Sequence, residues 1–136
     1  MEFLKFSLSG FDDFLLYFGL SLLFVVVYLA IYVRVTPYRE FRLLREGNAA
    51  AAVSLSGSLL GFVLPLASAV THSVNPWDMA LWAAIALLVQ IAVYLVMRLL
   101  LPDIVRHIPQ GQIGAGVALG TVSLAAGILN AASMTY

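Results

Sequence analysis

The chain has 136 residues, 62% of them hydrophobic and 10% charged, with no net charge and a mean hydropathy of +1.01. A soluble domain of this size cannot hide that much apolar surface in its core, so the composition demands lipid as solvent. Zero net charge excludes a basic face for nucleic acid, and the absence of cysteine excludes thiolate metal sites and disulfides.

At the N-terminus, Asp12 and Asp13 sit directly against the first apolar run, with Lys5 the one basic side chain before it. That run is longer than a signal-peptide core and no small-x-small cleavage pattern follows, so it reads as a retained transmembrane helix. The hydropathy pattern predicts four spans, at 14–33, 49–70, 79–97 and 113–132. Each has about the ~20 residues that cross a hydrocarbon core. None contains Asp, Glu, Lys, Arg or His, which argues against transport through a carboxylate relay at membrane depth. Pro37, Pro76, Pro102 and Pro109 punctuate the connections, where a missing N–H does least harm. Pro65 lies inside the second span and predicts a kink near Leu64, with the freed carbonyl served by a neighbouring helix.

Arg34, Arg39, Arg42 and Arg45 lie between the first two spans, and Arg98 and Arg106 between the last two. The positive-inside rule then puts both basic loops in the cytoplasm and both termini outside. On that orientation Tyr17, Trp77, Trp82 and Tyr136 are expected near the outer interface, and Tyr28, Tyr32 and Tyr38 near the inner one.

Laid over itself at a spacing of 64, the chain aligns Arg34 with Arg98 and Gly47 with Gly111, and "GNAAAAVSL" with "GQIGAGVAL". The predicted fold is therefore an all-α membrane protein of one domain over 1–136. Its four transmembrane helices form two helix–loop–helix repeats of the same orientation, at about 12–72 and 76–136.

The second and fourth spans are built of small residues. Ala50, Ser54, Gly57, Gly61 and Ser68 recur at helical spacing, as do Gly116, Gly120, Ser123, Gly127 and Ala131, and each stripe contains a G-x-x-x-G. Small residues let helix backbones approach closely in lipid, where no hydrophobic force drives association. One stripe is expected to serve packing of the second helix on the fourth, and the remaining surface a second subunit, making a homo-oligomer. The first and third spans, rich in Leu, Val, Ile and Phe, are expected to face lipid.

Among polar residues, Gln90 lies mid-span and reads as interhelical glue. Ser54, Ser56, Ser58, Thr121 and Ser123 either line a polar path or bond back to their own helices. Asn48 is placed to cap the second span. Asn130 is placed to bond across to another helix, at the carbonyl freed by Pro65. Glu40 and Glu46 are expected to pair with loop arginines. His72 and His107 stand singly, so no metal site and no cofactor is expected. Without a nucleophile–base pair or phosphate loop, no enzyme is expected either.

"TPYRE", "REGNAAAAVSLSGSLLGFVLPLASA" and "GILNAASMT" resemble the YjfL-like bacterial inner-membrane proteins, a family of unknown function, and the likeness runs over essentially the whole chain. The resemblance implies a multi-pass protein of the bacterial inner membrane and no particular activity. It also implies association with envelope-stress or membrane-remodelling factors, hence a cytoplasmic protein partner at the basic loop.

Two functions follow as expectations. The first is a passive oligomeric channel for ions or small solutes, with Ser54, Gly57, Ser58, Gly61, Pro65, Gln90, Gly116, Gly120, Thr121 and Asn130 as path or helix-interface residues. The second is a non-conducting scaffold that docks a cytoplasmic partner, or lipid headgroups, through Arg39, Arg42 and Arg45 in the loop 34–47.

Overall fold

The computed structural model describes residues 1–134; the anchoring role expected of Tyr136 lies outside the described residues. Among the described residues seven helices follow one another: α1 (Glu2–Leu8), α2 (Phe11–Val35), α3 (Glu40–Arg45), α4 (Ala49–His72), α5 (Pro76–Leu100), α6 (Pro102–His107) and α7 (Ile113–Ala132). Among the described residues there is no strand. The chain is all-α, and four helices are long and apolar enough to cross a membrane: α2 together with α1, then α4, α5 and α7.

Helix boundaries follow local chemistry. Thr36 precedes Pro37 and takes the extended conformation that proline imposes on its predecessor, ending α2. Asn48 accepts a hydrogen bond from the Ala51 N–H at 3.0 Å and opens α4. Asn75 does the same for α5 at Asp78, with Pro76 as the first helical residue. Gly47 and Gly111 both turn with φ near +80°, a backbone conformation that disfavours any residue with a Cβ. The Asn48 amide also donates to the carbonyls of Ile108 and Pro109 at 3.0 and 3.3 Å, tying the two basic loops together. Arg98 reaches the Val35 carbonyl at 2.9 Å and so joins the ends of α2 and α5 at the same place. This is the basic end of the bundle.

α4 is the central helix, touching α2, α3, α5 and α7. Its seam with α7 is parallel and runs from Ala50 against Gly116, through Ser58 beside Ser123, to Ser68 beneath Ala131. A Cβ added at Gly57 would collide with the Gly120 backbone, and one at Gly116 with the Ala50 carbonyl. Backbone therefore lies on backbone for the length of the seam, the geometry that small residues make possible in lipid. Facing partners along it are separated by 65 residues at Ser58–Ser123 and 63 at Ser68–Ala131, bracketing the spacing of the internal alignment.

α4 runs unbroken through Pro65. Proline cannot serve the carbonyl one turn back, which belongs to Gly61. Asn130 does not serve it: its amide lies 3.5 Å from the Ala86 carbonyl instead. The backbone of Gly127 packs directly on the Gly61 oxygen, so close that a Cβ there would collide with it. The place expected of an amide is thus taken by the Gly127 backbone.

α2 fully buries only Tyr28 and Tyr32, lays Leu20, Phe24, Val25 and Leu29 among others partly against the core, and turns most of its remaining apolar side chains outward. α5 departs from the lipid-facing expectation, burying Met79, Ala83, Ala86, Leu87, Gln90 and Tyr94. Its lipid-facing role is confined to one side.

Candidate functional site

The basic end holds the most unusual chemistry of the molecule. Glu40, the first residue of α3, is 1% exposed. α3 is amphipathic over a single turn and a half, turning Glu40, Leu43 and Leu44 inward and Phe41, Arg42 and Arg45 outward. The carboxyl thus enters the bundle rather than pairing with a loop arginine. This corrects the expectation for Glu40. Glu46 does pair, with Arg42 at 3.2 Å on the surface. A carboxylate consequently lies buried beside the spans, although none lies within them.

Tyrosines surround Glu40. Tyr28 and Tyr32, expected near the inner interface, are buried inside the bundle. Tyr28 stacks on Phe62 of α4 with ring centroids 4.6 Å apart, and Tyr32 meets Tyr94 of α5 edge-on at 5.3 Å. The tyrosines of α2 are thus gripped between α4 and α5. Tyr38 follows Pro37 in the connection to α3. Among the described residues, both Glu40 carboxyl oxygens and the hydroxyls of Tyr38 and Tyr94 are buried with no partner in hydrogen-bonding geometry. Burial raises the Glu40 carboxyl from its ordinary value near 4.5 to about 7, with the nearby Tyr38 hydroxyl pulling weakly the other way. Burial also raises the Tyr38 phenol, and the Glu40 charge raises it further.

Polar groups continue inward. The Ser58 hydroxyl donates to the Tyr32 oxygen at 3.1 Å and lies 3.4 Å from that of Ser123. Gln90 donates to the Ser123 carbonyl at 3.1 Å, while its own side-chain oxygen is unpartnered. Glu40, Tyr32, Ser58, Ser123 and Gln90 therefore mark a column of buried polar side chains from the basic end toward mid-span. Ser54 bonds back to the Ala51 carbonyl at 3.1 Å, adjoining this column.

The residues expected to line a path are distributed differently. Gly57, Gly61, Gly116 and Gly120 are occupied in the α4–α7 seam, with Pro65 buried beside it. The seam leaves no lumen between the two helices. Thr121 lies outside it, on a shallow groove of about 350 Å³ shared with Ser56 and Gly57.

Arg39, Arg42 and Arg45 come together. All three border an open basin of about 580 Å³ at the basic end, with Thr36, Tyr38, Glu40 and Phe41 among the other residues of its wall. Among the described residues, Arg39 and Arg45 make no ion pair. The sequence reading found these arginines but missed the buried acid beside them. Its legible signal was the glutamate three residues after Pro37, followed by the Leu43–Leu44 pair that turns α3 inward.

A bundle of apolar helices with a charged rim at one end defines a multi-pass membrane protein. The chain belongs to the Domain of Unknown Function family DUF350, whose model matches residues 6–134. It is 40% identical over 120 residues to the UPF0719 inner membrane protein YjfL of Escherichia coli strain K12, covering 88% of this chain and 91% of that protein. The YjfL of Escherichia coli O157:H7 is similar to the same extent. No solved structure matches it. With four membrane-crossing helices, it is a multi-pass inner-membrane protein.

Proposed function

We propose that the chain is a non-conducting, non-enzymatic anchor of the inner membrane. In this reading the basic loops face the cytoplasm, both termini lie outside, and the basin of Arg39, Arg42 and Arg45 docks an acidic segment of a cytoplasmic protein. The observation that carries this reading is the convergence of three arginines on one concave surface, two of them without an ion pair among the described residues. Guanidinium groups on such a rim offer forked donors to carboxylates. Changing Arg39, Arg42 and Arg45 together to Gln is expected to abolish co-purification of a cytoplasmic protein from native membranes while the chain still inserts. Retention of the same protein by the triple variant would overturn the reading.

A homo-oligomeric channel is the second reading. It is favoured by the groove at Ser56 and Thr121, whose polar groups stand on the outer side of the seam. A path would then lie between copies of the chain. Flux of ions or small solutes through the protein in liposomes, altered by Thr121→Leu, would select this reading; a silent, folded protein selects the anchor.

A further inference from the structure

The column headed by Glu40 is not used by either reading. Glu40 is the buried carboxylate among the described residues, yet it also borders the water-accessible basin. From α2 it is faced by Tyr32, from the α2–α3 connection by Tyr38, and from α5 by Tyr94, whose own neighbour is Arg98. α4 contributes the neutral hydroxyls of Ser54 and Ser58. Arg98 is engaged with the Val35 carbonyl, and no arginine forms an ion pair with Glu40. Arg39, Arg42 and Arg45 stand at the rim of the basin.

An ionised carboxylate in these surroundings has neither a cation nor a hydrogen-bond donor in bonding geometry, which is a costly state. Protonation removes the uncompensated charge and gives the acid an O–H that it can donate to a phenol oxygen. A divalent metal ion is a poor occupant, because it calls for several oxygen ligands of which more than one is charged. The rim arginines further oppose the entry of metal ions.

We propose that Glu40, with the phenols of Tyr32, Tyr38 and Tyr94, forms a buried proton-binding site that exchanges its proton with water in the arginine-rimmed basin. Hydronium gives up a proton to the carboxylate, leaving water and a neutral acid; release reverses the step, and only O–H bonds are made and broken. Ser58, Ser123 and Gln90 extend the polar surroundings inward and stabilise the site without titrating. The site acts independently of any docked partner. Its place beside the docking basin means that the charge offered there falls by one when the proton leaves.

The test is infrared difference spectroscopy of the full chain in lipid bilayers, titrated from acid to alkaline pH. The expected result is a protonated-carboxyl C=O band that persists to about neutral pH before it is lost. The band is expected to vanish in Glu40→Gln and to survive unchanged in Glu46→Gln, whose carboxyl is on the surface. Tyr38→Phe and Tyr94→Phe retain the acid and are expected to shift the band by removing the phenols that the protonated carboxyl is proposed to bond. Loss of the wild-type band in the ordinary carboxylate range would overturn the proposal. So would a midpoint that moves when Na⁺ or K⁺ replaces a bulky organic cation, which would assign the site to a metal ion. A band unaffected by both tyrosine variants would remove the phenols from the site.

Discussion

At Glu40 a single side chain links burial to pH. The unfolded chain releases this proton near pH 4.5 and the folded chain holds it to about 7. Between those values the folded state binds more protons, so folding stability is greatest at the acidic end and falls as pH rises. Above about 7 both states are ionised at this group and its effect is constant. The shift corresponds to a loss on the order of 3 kcal/mol across the window. Glu40→Gln is expected to flatten that dependence in thermal melts in detergent between pH 4.5 and 7. A variant that keeps the wild-type slope would assign the dependence elsewhere. This residue was half legible in the sequence. Its acid, its proline and its arginine neighbours are all visible there, but a charged loop is normally solvated. Only the inward turn of α3, set by Leu43 and Leu44 against the core, takes the carboxyl out of water.

Helices α4 and α7 illustrate the opposite case, in which sequence and structure agree closely. Glycines at helical spacing announce close contact, and the structure spends them on a parallel seam within one chain. What the spacing does not carry is the partner of each glycine. Gly61 meets the Ser123 backbone and the Gln90 amide, the latter 2.8 Å from where a Cβ would stand. Gly127 in turn closes on the Gly61 carbonyl left free by Pro65. Asn130 was a reasonable candidate for that carbonyl by chemistry, but it lies a turn further along α7 and faces α5. At Gly57 and Gly127 a substitution must separate two backbones, because no flexible side chain stands there to yield. Gly57→Ala and Gly127→Ala are each expected to lower stability by about 1–3 kcal/mol, the usual cost of overpacking. Gly19→Ala in α2 meets nothing within 4 Å and serves as the neutral control. Equal melting temperatures for all three variants would show that the seam is not the rigid element described.

For the whole molecule, composition and arginine placement announce a four-span membrane protein, and the family and the structure agree. The short helices α1, α3 and α6 escaped notice because each is six or seven residues long, too short for periodicity to register. Those at the basic end matter most, since the connections that carry them are tied into one surface where Asn48 bonds the Ile108 and Pro109 carbonyls. Convergence of this kind depends on tertiary contact and leaves no trace in local pattern. It also explains why the docking test requires all three arginines to be changed together. Each guanidinium borders the same basin, so the loss of one leaves the others to hold an acidic segment.

The near-register pairing of α4 with α7 has a mechanical consequence. Sixty-four residues after Glu40 stands Ile104, a partly buried apolar side chain of α6 packed on the core. The frame is nearly balanced about the seam, whereas the acid weighs on one flank only. A change of charge at Glu40 therefore exerts its force off-centre, on α3 and on the tyrosines between α2 and α5. The flank carrying α6 holds an apolar side chain at the matching position. The electrostatic change that follows proton loss at Glu40 thus falls on one side of the α4–α7 seam and has no counterpart at Ile104 on the other.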